Sequence, residues 1–177
     1  MNRSFRPLLV AALLALPAAL PAQEQGFVTD LAQLLALEDR REFDGGALRR
    51  AAQHPDAVVR GYAARAIGRI GDRAGTPVLL QLLADPDSNV QAEAAFALGL
   101  LRDSTAVPEL VRRLESFPAA TSSDRDLEIV TALAKIGGGP AAQAIAGLLG
   151  RHPPTGSQED LATAQALLES WRLGRLA

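Results

Sequence analysis

Residues 55–72, PDAVVRGYAARAIGRIGD, return thirty-one positions later as PDSNVQAEAAFALGLLRD at 86–103. Eight of the eighteen columns are identical, among them Asp56/Asp87, Ala63/Ala94, Gly68/Gly99 and Asp72/Asp103, and Ile67/Leu98 and Ile70/Leu101 stay apolar. A unit that recurs at a period of 20 to 50 residues is one supersecondary element that cannot bury its apolar face alone. Copies must therefore stack.

Within the unit, Val59, Ala63, Ala66, Ile67 and Ile70 fall at steps of 4, 3, 1 and 3, and Val90, Ala94, Ala97, Leu98 and Leu101 repeat those steps. That spacing puts them on one stripe of an α-helix. Asp56 and Asp87 stand just before the stripes, where a short carboxylate accepts from first-turn amides and complements the helix dipole. Gly71 follows the first stripe as a helix stop, and Gly68 and Gly99 sit where a missing side chain lets a neighbouring helix approach. A second kind of helix opens with Pro77 before VLLQLL and with Pro108 before ELVRRL, proline being tolerated at a first helical position. Leu79/Leu110 and Leu83/Leu114 keep the same offset of thirty-one.

Extending the register gives helices at 30–37 and 46–53, a third unit displaced by four residues through SFPAATSSD at 116–124, a helix at 140–150 and a last one at 157–173. The expected fold is all-α, an α-solenoid of about four to five antiparallel helix pairs in a right-handed stack. Pairs are expected at about 28–54, 56–84, 87–116 and 123–150, with 157–173 as a terminal helix and 23–27 as a short leading segment. Trp171, in that last helix, either folds back as a cap or leaves an end that docks on another subunit.

On these residues the chain resembles the HEAT-repeat family, in particular its short HEAT-like or phycobilisome-lyase-like variety. TPVLLQLLADPDSNVQAEAAFALG at 76–99 is similar to one complete unit, with its Pro77, turn Asp85, Val90 and AAFALG. The resemblance implies a helical superhelix whose Val-bearing helices line the concave side. Family members often carry a turn Asp and an Arg directly after the Val, forming a ladder along the stack. This chain departs from that pattern, because Gln91 stands where the Arg would follow Asp85 and His54 stands where the Asp would precede Arg60.

The first twenty-two residues, MNRSFRPLLVAALLALPAALPA, combine Arg3 and Arg6, an apolar run from Leu8 to Leu20 and a small-residue end at Ala22. This reads as a signal peptide cleaved before Gln23 rather than a membrane span, since Pro17 and Pro21 interrupt a run that would need about 20 apolar residues. An exported protein, periplasmic or extracellular and of bacterial type, is expected, with no membrane span after cleavage. Losing the two arginines takes the formal charge from −2 to −4, against the basic footprint that nucleic-acid binding usually needs. With no cysteine in the chain, stability rests on packing.

Chemistry-bearing residues are sparse. His54 and His152 each precede a proline in a turn and read as exposed turn residues, no His-Glu pair of the kind used by HEAT-like iron hydroxylases occurs, and no His, Cys or carboxylate cluster has zinc-site spacing. No cofactor, metal or catalytic residue is expected. GGG at 137–139 follows a helix and reads as a helix stop. What remains is a surface: positions between the buried columns align as Tyr62/Glu93/Glu128, Arg65/Phe96/Thr131 and Arg69/Leu100/Lys135. Two readings of these columns stand side by side, a mixed aromatic and charged groove, or a half-buried Phe96 with arginines paired to nearby carboxylates. The function expected from the whole is a non-enzymatic scaffold that binds a protein or peptide through Tyr62, Arg65, Arg69, Glu93, Phe96, Leu100, Glu128 and Lys135. The alternatives are a lyase-type or enzyme-accessory protein, as the resemblance implies, or a stand-alone repeat region like the N-terminal part of a larger exported protein. An oligomer through the end near Trp171 is compatible with either.

Overall fold

The computed structural model of the protein describes residues 22–116 and 124–151. The expected signal segment up to residue 21, the middle of the 116–124 insertion, His152 and the terminal helix with Trp171 lie outside the described residues. Among the described residues eight α-helices follow one another: α1 (Ala22–Arg40), α2 (Gly45–Ala52), α3 (Ala57–Ile70), α4 (Thr76–Leu82), α5 (Ser88–Leu101), α6 (Val107–Glu115), α7 (Asp124–Ile136) and α8 (Gly139–Arg151). Single 3-10 turns at Arg73–Gly75 and Ser104–Ala106 lead into α4 and α6, and no strand occurs among the described residues. This is an all-α solenoid.

Aspartates start these elements. Asp44 accepts from the Gly46 and Ala47 amides, Asp56 from Val58, Asp72 from Ala74, Asp87 from Asn89 and Val90, and Asp103 from Thr105, all at 2.8–3.2 Å. Each bond satisfies an amide that the first turn leaves without an intrahelical partner. Pro77 and Pro108 stand in the first turns of α4 and α6, where no such amide is needed. The stops are less uniform. Gly71 ends α3 in the left-handed region with φ 83°, but its counterpart one repeat later is Arg102 with φ 50°, and Arg41 after α1 has φ 53°. The backbone bend is thus repeated although the residue that favours it is not. Helix α1 begins well ahead of residue 30, because Phe27 and Leu31 already pack against the core and Thr29 bonds back to the Gln25 carbonyl at 2.7 Å.

Helices α1, α3, α5 and α7 lie side by side in one layer, and α2, α4 and α6 each pack most extensively on the helix that follows. The repeating body is therefore α4 with α5, the 76–99 stretch. Both stripes are buried in one continuous core, with Val59, Ala63, Ile67, Val90, Ala94, Ala97 and Leu98 at 0–1 % exposure. Leu48, Leu79 and Leu110, thirty-one residues apart, are all fully buried in the second layer. The layer is tight because of its glycines. A Cβ on Gly68 would lie 2.7 Å from both Cα and Cβ of Ala97, and one on Gly99 would lie 3.0 Å from Cα of Ala132. Glycine is the residue that allows backbones this close.

Despite these departures, links of the ladder kind are built, by a different register. Arg60 of α3 reaches forward to the turn before α5 and binds Asp85 in a two-pronged ion pair, Nε to Oδ2 at 2.7 Å and Nη2 to Oδ1 at 2.8 Å. Its Nη1 donates to the carbonyls of His54 and Pro55. One repeat on, the Gln91 amide donates to the Asp85 carbonyl, and its oxygen accepts from Arg125 of α7 at 3.2 Å. Glutamine bridges as an arginine would, with a neutral head that both donates and accepts. His54 is likewise no bare turn residue: its Nδ1 accepts from the Asp56 amide at 3.0 Å, as Asp85 Oδ1 accepts from the Asp87 amide at 2.9 Å, and its Nε2 lies 3.5 Å from Asp30 on α1.

The Arg60 guanidinium holds the Asp85 carboxyl below its ordinary value of 3.8, against the opposing effect of burial and with help from the Asp87 amide. A lowered folded value means that the stabilisation is present above that ordinary value and is lost as pH falls through the folded one. Asp85→Asn keeps an acceptor for the Asp87 amide but breaks the pair, whose side chains are only 14 % and 6 % exposed. The expected outcome at pH 7 is a loss of about 2 kcal/mol in urea unfolding, with the gap to wild type closing as the pH is taken below 3.8.

Candidate functional site on the exposed face of the inner layer

Helices α3, α5 and α7 each turn one stripe into the core, and the residues between those stripes form the layer's other face. Val58 (50 % exposed), Tyr62 (39 %) and Leu100 (39 %) are the exposed large apolar residues among the described ones, and all three stand on α3 and α5. Apolar surface that a fold leaves open on one face is more informative than scattered exposure. Between α3, α5 and α7 runs a groove of about 430 Å³ lined by Arg65, Arg69, Asn89, Ala92, Glu93, Phe96, Leu127 and Glu128. A second hollow of about 190 Å³ continues it toward Val58 and Tyr62, sharing Arg65, Asn89 and Glu93.

Of the columns aligned from the sequence, Tyr62, Arg65, Arg69, Glu93, Phe96 and Glu128 line these hollows, whereas Leu100, Thr131 and Lys135 do not. Arg65 binds Glu93 across the α3–α5 boundary through two prongs, one of them Nε to Oε2 at 3.0 Å. Its guanidinium also lies 5.5 Å from the centre of the Tyr62 ring. The bonded carboxylate raises the already high pKa of Arg65, so the guanidinium is a fixed charge. Arg69 donates to Glu38 of α1 at 2.7 Å. Phe96 is half-buried, with the Lys135 ammonium 4.6 Å above its ring. The arginines are paired to carboxylates, and those pairs form walls of the groove. Asn89, Ala92 and Leu127 were missed. Asn89 and Ala92 lie one turn nearer the helix start than Glu93 and Phe96, and that spacing of four residues in each case was the signal that could have found them.

Chemically the groove offers fixed cations, carboxylates, an amide and an aromatic floor. His54 is not among the lining residues, and no group of three or more His, Cys, Asp or Glu able to hold a metal exists among the described residues. No helix among them is long and apolar enough to cross a membrane.

Residues 46–122 match the family model for HEAT repeats. HEAT repeats occupy that stretch. The solenoid is similar to the solved complex of CpcE and CpcF of phycocyanin lyase from Nostoc sp. PCC7120, at 25 % identity and a TM-score of 0.64, covering 96 % of this chain and 68 % of that one. No curated protein matches it. The likeness corrects the functional expectation: the HEAT-repeat structure it resembles is part of a lyase, which favours the enzyme-accessory alternative over a non-enzymatic scaffold. It is also a complex of two proteins, which points to protein partners for HEAT repeats of this kind.

The Arg65–Glu93 pair is more exposed than Arg60–Asp85, at 37 % and 25 % for its two side chains. A double-mutant cycle with Arg65→Ala and Glu93→Ala is expected to give a coupling of about 0.5–1 kcal/mol. That coupling shrinks in 1 M salt, where the screening length falls to about 3 Å.

Proposed function

We propose that the chain is an accessory subunit of a lyase-type enzyme, working in complex with a second protein and not performing the bond-making step by itself. The likeness to the lyase complex over 96 % of the chain carries this reading. The groove adds support. Its volume of about 430 Å³ lies within the roughly 300–1,000 Å³ typical of small-molecule sites, which suits a protein that helps to position a small reactant for transfer to or from a protein. Phycocyanin itself is not carried over as the substrate. The signal-like residues 1–22 place the mature chain outside the cytoplasm in this proposal, with a reactant and partner of that compartment.

The tagged full-length protein, purified from cells that make it naturally, tests both parts. Its N-terminus is expected at Gln23, and it is expected to elute with a second protein in a fixed ratio. The pair, and neither chain alone, should change the intact mass of an acceptor protein from the same compartment by a small-molecule increment. A chain that elutes alone, or a pair that leaves every acceptor mass unchanged, overturns the accessory reading; an intact Met1 overturns the location.

A further inference from the structure

We propose that His54 is a pH-responsive latch: its neutral ring holds the turn before α3, and protonation makes it release that turn and hold Asp30 of α1 instead. The device is independent of the groove and of the accessory role. Two equivalent posts in successive repeats are filled by different chemistry. His54 Nδ1 accepts from the Asp56 amide at 3.0 Å, and one repeat later Asp85 Oδ1 accepts from the Asp87 amide at 2.9 Å. Imidazole is the side chain whose charge ordinarily changes between about pH 5 and 8, whereas the Asp85 carboxyl is held below 3.8 by Arg60. One post responds to mild acid and its twin does not.

The contacts of the ring fix what a proton does to it. A ring nitrogen that accepts an N–H bond carries no hydrogen of its own, so the neutral His54 has its hydrogen on Nε2. That nitrogen lies 3.5 Å from Asp30 Oδ2, longer than an ordinary hydrogen bond, so the neutral ring is held more closely by the turn than by α1. A second proton goes onto Nδ1 and turns an acceptor into a donor that faces another donor, the Asp56 N–H. The bond to the turn is lost. The same proton makes the ring a cation beside the Asp30 carboxylate, so the pull toward α1 rises as the hold on the turn goes.

A hollow of about 200 Å³ lined by Asp30, Gln33, Leu34, Arg50 and His54 gives the ring room to turn toward α1. Among the described residues the charged groups that face it are Asp30 of α1, Arg50 of α2, Arg60 of α3 and Asp56 at the start of α3. Asp56 has one oxygen engaged by the Val58 amide. Arg60 is paired to Asp85 and meets His54 only at its carbonyl. Arg50 lines the far side of the hollow and opposes a charged ring, while Asp30 lies within ion-pair distance and favours one. The bond to the Asp56 amide is present while the ring is neutral and is lost as the pH falls through the ring's titration; the attraction of Asp30 has the opposite sign. Global stability sums the two, so the Asp56 amide is the direct readout.

Nuclear magnetic resonance of the 15N-labelled full chain between pH 8 and pH 5 tests the latch. At pH 8 the His54 ring is expected as the Nε2–H tautomer. As the ring titrates, the Asp56 amide proton should move upfield and exchange with water about fivefold faster after correction for intrinsic pH dependence, the scale of one hydrogen bond. The Asp87 amide should do neither. At pH 5 the ring should keep its nuclear Overhauser contacts with Asp30. His54→Asn supplies a neutral acceptor at every pH, so there the Asp56 amide should cease to follow pH. The same variant separates the His54 ring signals from those of His152, the chain's other histidine. An Nδ1–H tautomer at pH 8, an Asp56 amide indifferent to the ring's titration, equal changes at Asp87, a pH response that survives in His54→Asn, or loss of the Asp30 contacts in acid overturns the proposal. The wild-type measurements decide it by themselves if the variant fails to fold.

Discussion

Everything in this solenoid depends on how closely the inner helices approach one another. Where Gly68 faces Ala97 and Gly99 faces Ala132, there is no room for another methyl group between the backbones. That closeness lets alanines fill the seam at Ala63, Ala94 and Ala132, all fully buried. It also brings the larger side chains of the second layer, Leu79, Leu83 and Leu110, fully out of water. Each such leucine contributes about 1.5–3 kcal/mol by burial, so the apolar seam outweighs any single polar link between repeats.

The polar links do something else: they set register. The turns before α3 and α5 would leave amides and carbonyls without partners, and the Arg60–Asp85 pair, the His54 ring and the Gln91 amide satisfy them, with Arg60 tying the turn before α5 to α3 and His54 lying beside Asp30 of α1. Four chemically different residues hold two equivalent posts, His54 and Asp85 as acceptors and Arg60 and Gln91 as donors. What the fold asks of those positions is an acceptor or a forked donor at the right reach, and imidazole, carboxylate, guanidinium and carboxamide can each supply one.

That substitutability explains where the sequence was legible and where it was not. The helices, their aspartate starts and the buried stripe follow from spacing and from one-residue rules, so Val59 to Ile70 and Val90 to Leu101 could be read directly. The ladder could not, because neither repeat holds both the turn Asp and the Arg after the Val, and Arg60 reaches the next repeat's turn instead. The left-handed ends at Arg41 and Arg102 gave no signal either, since arginine is not the residue that such a bend favours. On the exposed face the columns were legible from the period, whereas the Arg69–Glu38 link, which spans two helix pairs, was not.

The groove inherits its shape from the seam. Arg65, Glu93 and Phe96 can face one another only because α3 and α5 sit at glycine spacing. The most direct test is therefore a pair of substitutions on α3, Gly68→Ala and Gly61→Ala, compared by urea unfolding. At Gly61 a new Cβ meets nothing nearer than Glu93 Cγ at 3.9 Å, so alanine should stabilise by up to about 1 kcal/mol through helix propensity. At Gly68 it would meet the Ala97 backbone at 2.7 Å, and a loss of about 1–3 kcal/mol is expected. Equal stability gains at the two positions would contradict a solenoid whose helix spacing is set by the missing side chain.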